Sequence, residues 1–131
     1  MTYKAQALRI GDLEFNPPVI QGAMGVRISR SGLASAVANA GGIGTIASAG
    51  LGKFENAPGK EYVLINNNGL RAEIARTRSL TSRPFAVNIM GVATNYSELV
   101  KICVEEKVAI ITSGAGLPLD LPSYDPERIV K

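Results

Sequence analysis

The chain contains no histidine. That excludes a Ser-His or Cys-His dyad and any imidazole metal ligand. A general base would have to be Asp, Glu, Lys, Tyr or Cys, or be brought by a cofactor. Cysteine occurs once, as Cys103. A lone thiol excludes an internal disulfide framework and fits a reducing cytoplasm. No run of about 18 apolar residues is present, so no membrane span is expected. The start, Met1 to Gln6, lacks the apolar stretch of a signal peptide. The net charge is +3 with the basic residues scattered, so nucleic-acid binding is not expected either. No metal site is expected.

The 131 residues are 46% hydrophobic and 19% charged. That composition describes one globular domain with a core of its own. Its organising stretch is Pro18-Val19-Ile20-Gln21-Gly22-Ala23-Met24-Gly25. A short apolar run enters a turn rich in glycine, and a helical pattern follows. Glycine lets a backbone approach a ligand closely. Loops at the carboxyl ends of parallel strands are where α/β proteins place ligands.

The order of elements can be read along the chain. Leu8 to Phe15 reads as a hairpin turning at Gly11-Asp12. A first strand is expected at Val19 to Gln21, after Asn16-Pro17-Pro18. A helix is expected from Ser31 to Ala40, with Leu33, Ala36, Val37 and Ala40 on its apolar face and Ser29 or Ser31 as cap. Gly41-Gly42 stops it, and a second strand runs from Ile43 to Ala47. Gly50-Leu51-Gly52-Lys53 begins a long loop. Tyr62 to Ile65 fits either a short strand or the lead-in to a helix. Asn66-Asn67-Asn68 offers N-caps for a helix over Leu70 to Leu80. A third strand is expected at Phe85 to Ile89, and a helix from Tyr96 to Glu106, with Asn95 and Glu98 resembling a capping box. A fourth strand, Val108 to Thr112, ends in Ser113-Gly114-Ala115-Gly116. In the tail, Pro126 is placed to open a helix. The alternation predicts a parallel sheet with right-handed crossovers.

Several motifs carry a bland reading beside a sharp one. Gly114-Ala115-Gly116 lacks the third glycine of a dinucleotide fingerprint, and Gly52-Lys53 lacks the flanking residues of a P-loop. Cys103 falls on an apolar helix face and reads as core. Met24 is either core or a ligand contact, and Gln21 either bonds across the fold or meets a ligand. Asn88, in an apolar strand, needs partners from the backbone or from a ligand. Arg27 and Arg30 read as solvated, with contact to an anion as the minority alternative.

Gln21-Gly22-Ala23-Met24-Gly25, Gly41-Gly42-Ile43-Gly44-Thr45, Val87-Asn88 and Ser113-Gly114-Ala115-Gly116 occur in this order. With these motifs the chain resembles the amino-terminal half of the nitronate monooxygenase family, once called 2-nitropropane dioxygenases. Flavin-dependent enoyl-acyl-carrier-protein reductases are related. The resemblance runs from about Leu8 to Pro122. It implies a flavin-binding TIM barrel with FMN as cofactor and a small-molecule substrate. Gln21, Gly22, Ala23, Met24 and Gly25 would form the first flavin loop. Asn88 would hydrogen-bond the flavin, and Ser113 and Gly114 would lie near the substrate.

A TIM barrel takes about 250 residues and eight strands, whereas four strands are expected here. The family's usual phosphate site and catalytic histidine belong to the second half, so no catalytic residue is assigned. The expectation is one partial TIM-barrel domain over residues 1–131, with four parallel strands. It would be completed by a second copy or a second chain, in a cytoplasmic protein. The functional expectation is an FMN-dependent monooxygenase that oxidises alkyl nitronates with oxygen. The alternatives are a flavin-dependent enoyl-thioester reductase and a non-catalytic half-barrel serving as scaffold or remnant.

Overall fold

The computed structural model describes residues 5–52 and 60–127. Leu8–Ile10 (β1) and Leu13–Phe15 (β2) form an antiparallel hairpin with Ile10 opposite Leu13. Gly11 turns it at φ +55°, a left-handed conformation glycine adopts without a Cβ penalty. Then come α1 (Ser31–Asn39), β3 (Thr45–Ala47), α2 (Lys60–Leu80), β4 (Ala86–Met90), α3 (Tyr96–Glu105) and β5 (Ile110–Gly114). A short 3₁₀ turn, Leu121–Tyr124, follows. The sheet β3-β4-β5 is parallel, as strands joined through helices require. Among the described residues no helix is long and apolar enough to cross a membrane.

The expected first strand is reduced to a single parallel bridge, Ile20 with Ile43. The Ile43 N–H bonds Val19 O and the Gln21 N–H bonds Ile43 O. The sheet therefore has three strands flanked by one bridge, rather than four strands.

The long central loop is also shorter than expected, because α2 already begins at Lys60. Asn66 is not a cap but a buried clamp inside the helix. Its Oδ1 accepts from the Leu51 N–H at 2.9 Å, and its Nδ2 donates to Ser48 O at 3.0 Å. Gly69, inside the same helix, is a contact point. A Cβ there would lie 2.9 Å from the Leu51 carbonyl carbon. A mid-helix glycine costs about 1 kcal/mol against alanine; here it lets the helix touch the chain leaving β3. Residues 53–59 and the tail beyond Glu127 lie outside the described residues, and Pro126 sits in a turn.

The first helix turns a different face inward from the one expected. Ser31, Ala34, Ser35 and Ala38 are buried, while Leu33 is exposed. A Cβ at Gly44 would stand 1.8 Å from Ala34 O, so α1 rests directly on the strand backbone. Close approach selects small side chains over larger apolar ones. On α3 the apolar face expected to hold Cys103 is the buried one: Leu99, Val100 and Cys103 are buried, and Tyr96 is partly buried against the same core. Its capping box is not formed, since Asn95 makes no cap bond and instead donates to Asn67 Oδ1 at 2.8 Å.

Two apolar layers result. On one face of the sheet Ile46, Val87 and Ile89 meet Leu70 and Ile74 of α2 and Leu99 and Val100 of α3. On the other face Ile43, Ala86 and Ile110 are covered by Phe15, Leu8 and Leu13 of the hairpin. The hairpin thus plugs the amino-terminal end of the face that a barrel would enclose.

Candidate functional site

Side chains alternate along a strand, so residues in register share a face. Ala86 is in register with Thr45 and Ile110, and Asn88 with Ala47 and Thr112; Met90 follows beside Gly114. All lie on the hairpin side of the sheet. The first row is sealed, with Ala86 fully buried. Two residues on, the face turns polar and open. Asn88 is half-buried, and its Nδ2 donates to Thr112 Oγ1 at 3.1 Å and to Thr112 O at 3.3 Å. Its Oδ1 meets no donor among the described residues. Met90 beyond it is 43% exposed.

The loop after Ile20 rims this opening. Gln21 does not reach into it. Its Oε1 accepts from the Thr45 N–H at 3.0 Å, and its Nε2 donates to Thr45 O at 3.1 Å and to Ser29 Oγ at 3.0 Å. Ser29 Oγ also accepts from the Met24 N–H at 2.9 Å, and the Ser29 N–H returns to Met24 O. Ser29 therefore closes residues 24–29 into a compact turn. Met24 stands 62% exposed on it. Val26 and Arg27 both adopt left-handed conformations, at φ 52° and 68°. That is uncommon for any side chain and strained for a β-branched one.

Two glycines at this end have no steric reason to be glycine. A Cβ at Gly22 or Gly114 would meet nothing within 4 Å, and neither has a positive φ. By contrast Gly25 faces Ala49, and its Cβ would sit 3.4 Å from Ala49 Cβ. The N–H groups of Gly22 and Ala23 have no acceptor among the described residues. The open end thus presents two backbone donors, one amide oxygen and two bare glycine surfaces. That set suits a flat polar ligand resting against the backbone.

Ser113 lies elsewhere. It is in register with Ile89, on the helix side of the sheet. Its hydroxyl is buried without a hydrogen-bond partner, as is that of Tyr96. Burial pushes the Tyr96 phenol up, against a smaller opposing pull from nearby Ser113. Ser113 and Gly114 can therefore offer the open face only their backbone, and Thr112 is the side chain that accompanies Asn88. Residue parity in β5, counted from Ile110, carries that distinction. Cys103 is core, with burial pushing its thiol up to about 12.

Glu73 is a second residue that sequence reading misses. It is buried on α2, and its Oε2 accepts from the Ser31 N–H at 2.8 Å, the first amide of α1. Oε1 accepts from Arg30 Nε at 2.8 Å and also pairs with Arg30 Nη2. Burial pushes the carboxyl up, but the bonds from Arg30 and Ser31 outweigh it, and the group sits below the ordinary carboxylate value. Spacing could have found it, since Glu73 falls between Leu70 and Thr77 on the inward stripe. Arg30 is thus engaged internally, and Arg27 reaches Gly52 O.

Neither of two cavities is lined by Gln21 to Gly25, Asn88 or Gly114. One of about 140 Å³ lies between α2 and the β3 and β4 ends, lined by Ser48, Tyr62, Met90 and Asn95. A trough of about 790 Å³ runs along β5 from Ile10 and Leu13 to Leu121. It follows the outer edge of β5, where a further strand would pair.

The comparisons with known proteins agree with this arrangement. A family model described as nitronate monooxygenase matches residues 7–119. FabK of Thermotoga maritima is 34% identical with a TM-score of 0.60 over 81% of this chain and 30% of its own. Its M276A mutant gives 35% and 0.61, over 81% and 32%. A Mycobacterium tuberculosis protein named (3aS,4S,5R,7aS)-5-hydroxy-7a-methyl-1-oxo-octahydro-1H-indene-4-carboxyl-CoA dehydrogenase is 33% identical over 93 residues. That match covers 71% of this chain and 22% of the relative, so the chain spans under a third of the proteins it matches. With the family model matched along most of its length, and a parallel α/β sheet carrying the glycine loops at its open end, the chain belongs to the nitronate monooxygenase family.

Proposed function

We propose that this chain forms one wall of a flavin site and that the protein works as an FMN-dependent oxidoreductase. Members of the family are flavin-dependent. The observation that carries the reading is the open end of the sheet face, where Gly22 and Gly114 leave bare backbone beside the acceptor of Asn88. Those residues fit the group. The Gly22 and Ala23 N–H groups can donate to ring heteroatoms and Asn88 Oδ1 can accept from a ring N–H. Gly25 and Met24 complete the loop against the ring.

A bound flavin supplies electron-transfer chemistry that no side chain here can perform. The chain's own part is to orient and to exclude. Gln21 and Ser29 hold the loop, Asn88 is aimed by Thr112, and the hairpin closes the far end against water. The exposed Gly114 backbone would be the part of β5 that approaches the substrate. For the substrate, the family supports an alkyl nitronate oxidised with oxygen. The likeness to FabK supports a second reading, reduction of an enoyl thioester. The acting protein would be a homo-oligomer or include a second chain that covers the open face, and we place it in the cytoplasm.

The test is an FMN titration of the 131-residue chain, followed by flavin fluorescence and by absorbance after desalting. Retained flavin at one equivalent is expected, and its loss in Asn88→Ala. A chain that is folded by circular dichroism and retains no flavin overturns the reading. Anaerobic bleaching by a nitronate, or by a reduced nicotinamide, then separates the two substrates.

A further inference from the structure

The contacts of Glu73 reach beyond α2. Its two carboxylate oxygens hold the first amide of α1 and the guanidinium of Arg30, the residue just before that helix. The next residue back is Ser29, whose hydroxyl and N–H lock both Gln21 and Met24. Only Arg30 thus separates the carboxylate's contact at Ser31 from the residue that closes the glycine loop. A helix amino terminus attracts negative charge, because its first N–H groups lack intrahelical acceptors. In this fold the charge is supplied from another helix, some forty residues along the chain. The geometry has two consequences. The first amide of α1 already has a carboxylate acceptor. And the loop inherits its position from a carboxylate that lies outside it.

We propose that Glu73 is a positioning residue for the loop at Gln21 to Gly25. It acts as a built-in anion at the start of α1 and touches neither cofactor nor substrate. The functional meaning rests on the flavin reading above, whereas the structural link does not.

The experiment uses two methionines as reporters, Met24 and Met90. With methyl-¹³C methionine, Met24 reports the loop, and Met90, across the open end on β4, serves as control. In Glu73→Ala the Met24 methyl signal should move or broaden while Met90 holds its position. Sodium formate, which supplies a small carboxylate to the vacated place, should restore the Met24 signal, and sodium chloride at the same ionic strength should not. FMN affinity should fall about tenfold in the variant and recover with formate. An unmoved Met24 in the variant overturns the proposal, as does a disturbed signal that ignores formate. If Glu73→Ala does not fold, Glu73→Gln keeps the volume and removes the charge. A displaced Met24 then supports the proposal, and an unchanged one overturns it. A wild-type chain that binds no FMN sinks the flavin reading alone and leaves the methyl result standing.

Discussion

The two ends of one sheet face differ more than the two faces do. At the amino-terminal end, Ile43, Ala86 and Ile110 are packed under Phe15 and the rest of the hairpin. Two residues further along the same strands stand Asn88 and Thr112, then Met90, with no covering element among the described residues. Parallel sheets are normally covered on both faces. One end is thus built as a core, and the other as an open, more polar surface. The glycines divide the same way. At the sealed end Gly44 is glycine because the fold has no room for more. At the open end Gly22 and Gly114 are glycine although there is room.

The largest effect should come from breaking the sealed end. Gly44→Ala places a methyl 1.8 Å from Ala34 O, so α1 must lift off the sheet. We expect a loss of about 3 kcal/mol, at the upper end of overpacking costs, read as a drop in the urea midpoint. Phe15→Ala should follow at about 3 kcal/mol, since it empties the plug above Ile43 and Ala86. If Phe15→Ala melts like the wild type, the hairpin does not cover the core described here, and if Gly44→Ala does, α1 does not rest on the strand backbone.

At the open end the balance should reverse. Asn88→Ala removes the bonds to Thr112 and costs about 1 kcal/mol of stability, while FMN affinity falls about tenfold. Acid acts at the boundary between the ends. The Glu73 carboxyl lies below its ordinary value of 4.5 when folded, so its contribution is complete above that pH. It is lost as pH falls through the lower folded value. Melting followed from pH 7 to pH 3 should show this fall in the wild type and a shallower one in Glu73→Gln, with no Glu73 effect between pH 6 and pH 8. The smallest stability effect belongs to Gly22→Ala, expected within about 0.5 kcal/mol of wild type. Its loss should appear in flavin binding instead. Destabilisation without a binding change would remove the contrast on which the site assignment rests.

The sequence made the repeating strand-helix order, the hairpin and the buried face of α3 readable, because each depends on local periodicity. It misplaced the inward face of α1, because that face is set by contact between backbones and not by apolar spacing. It read Asn66 as a boundary residue, because its partners, Ser48 and Leu51, are remote in sequence. The family motifs gathered Gln21 to Gly25 and Asn88 at one end of the sheet. Whether a side chain faces the opening depends on strand parity. Parity distinguishes Thr112 from Ser113, and register rather than motif decides it.

Gln21 has a consequence for how the chain breathes. Its amide group takes both backbone groups of Thr45, donating to one and accepting from the other, as a peptide of a neighbouring strand would. The main chain of residues 22 and 23 is thereby released from pairing without exposing the edge of β3. In hydrogen exchange the Thr45 amide should be slow although its acceptor is a side chain and not a strand carbonyl. The Gly22 and Ala23 amides should be fast until a ligand takes them.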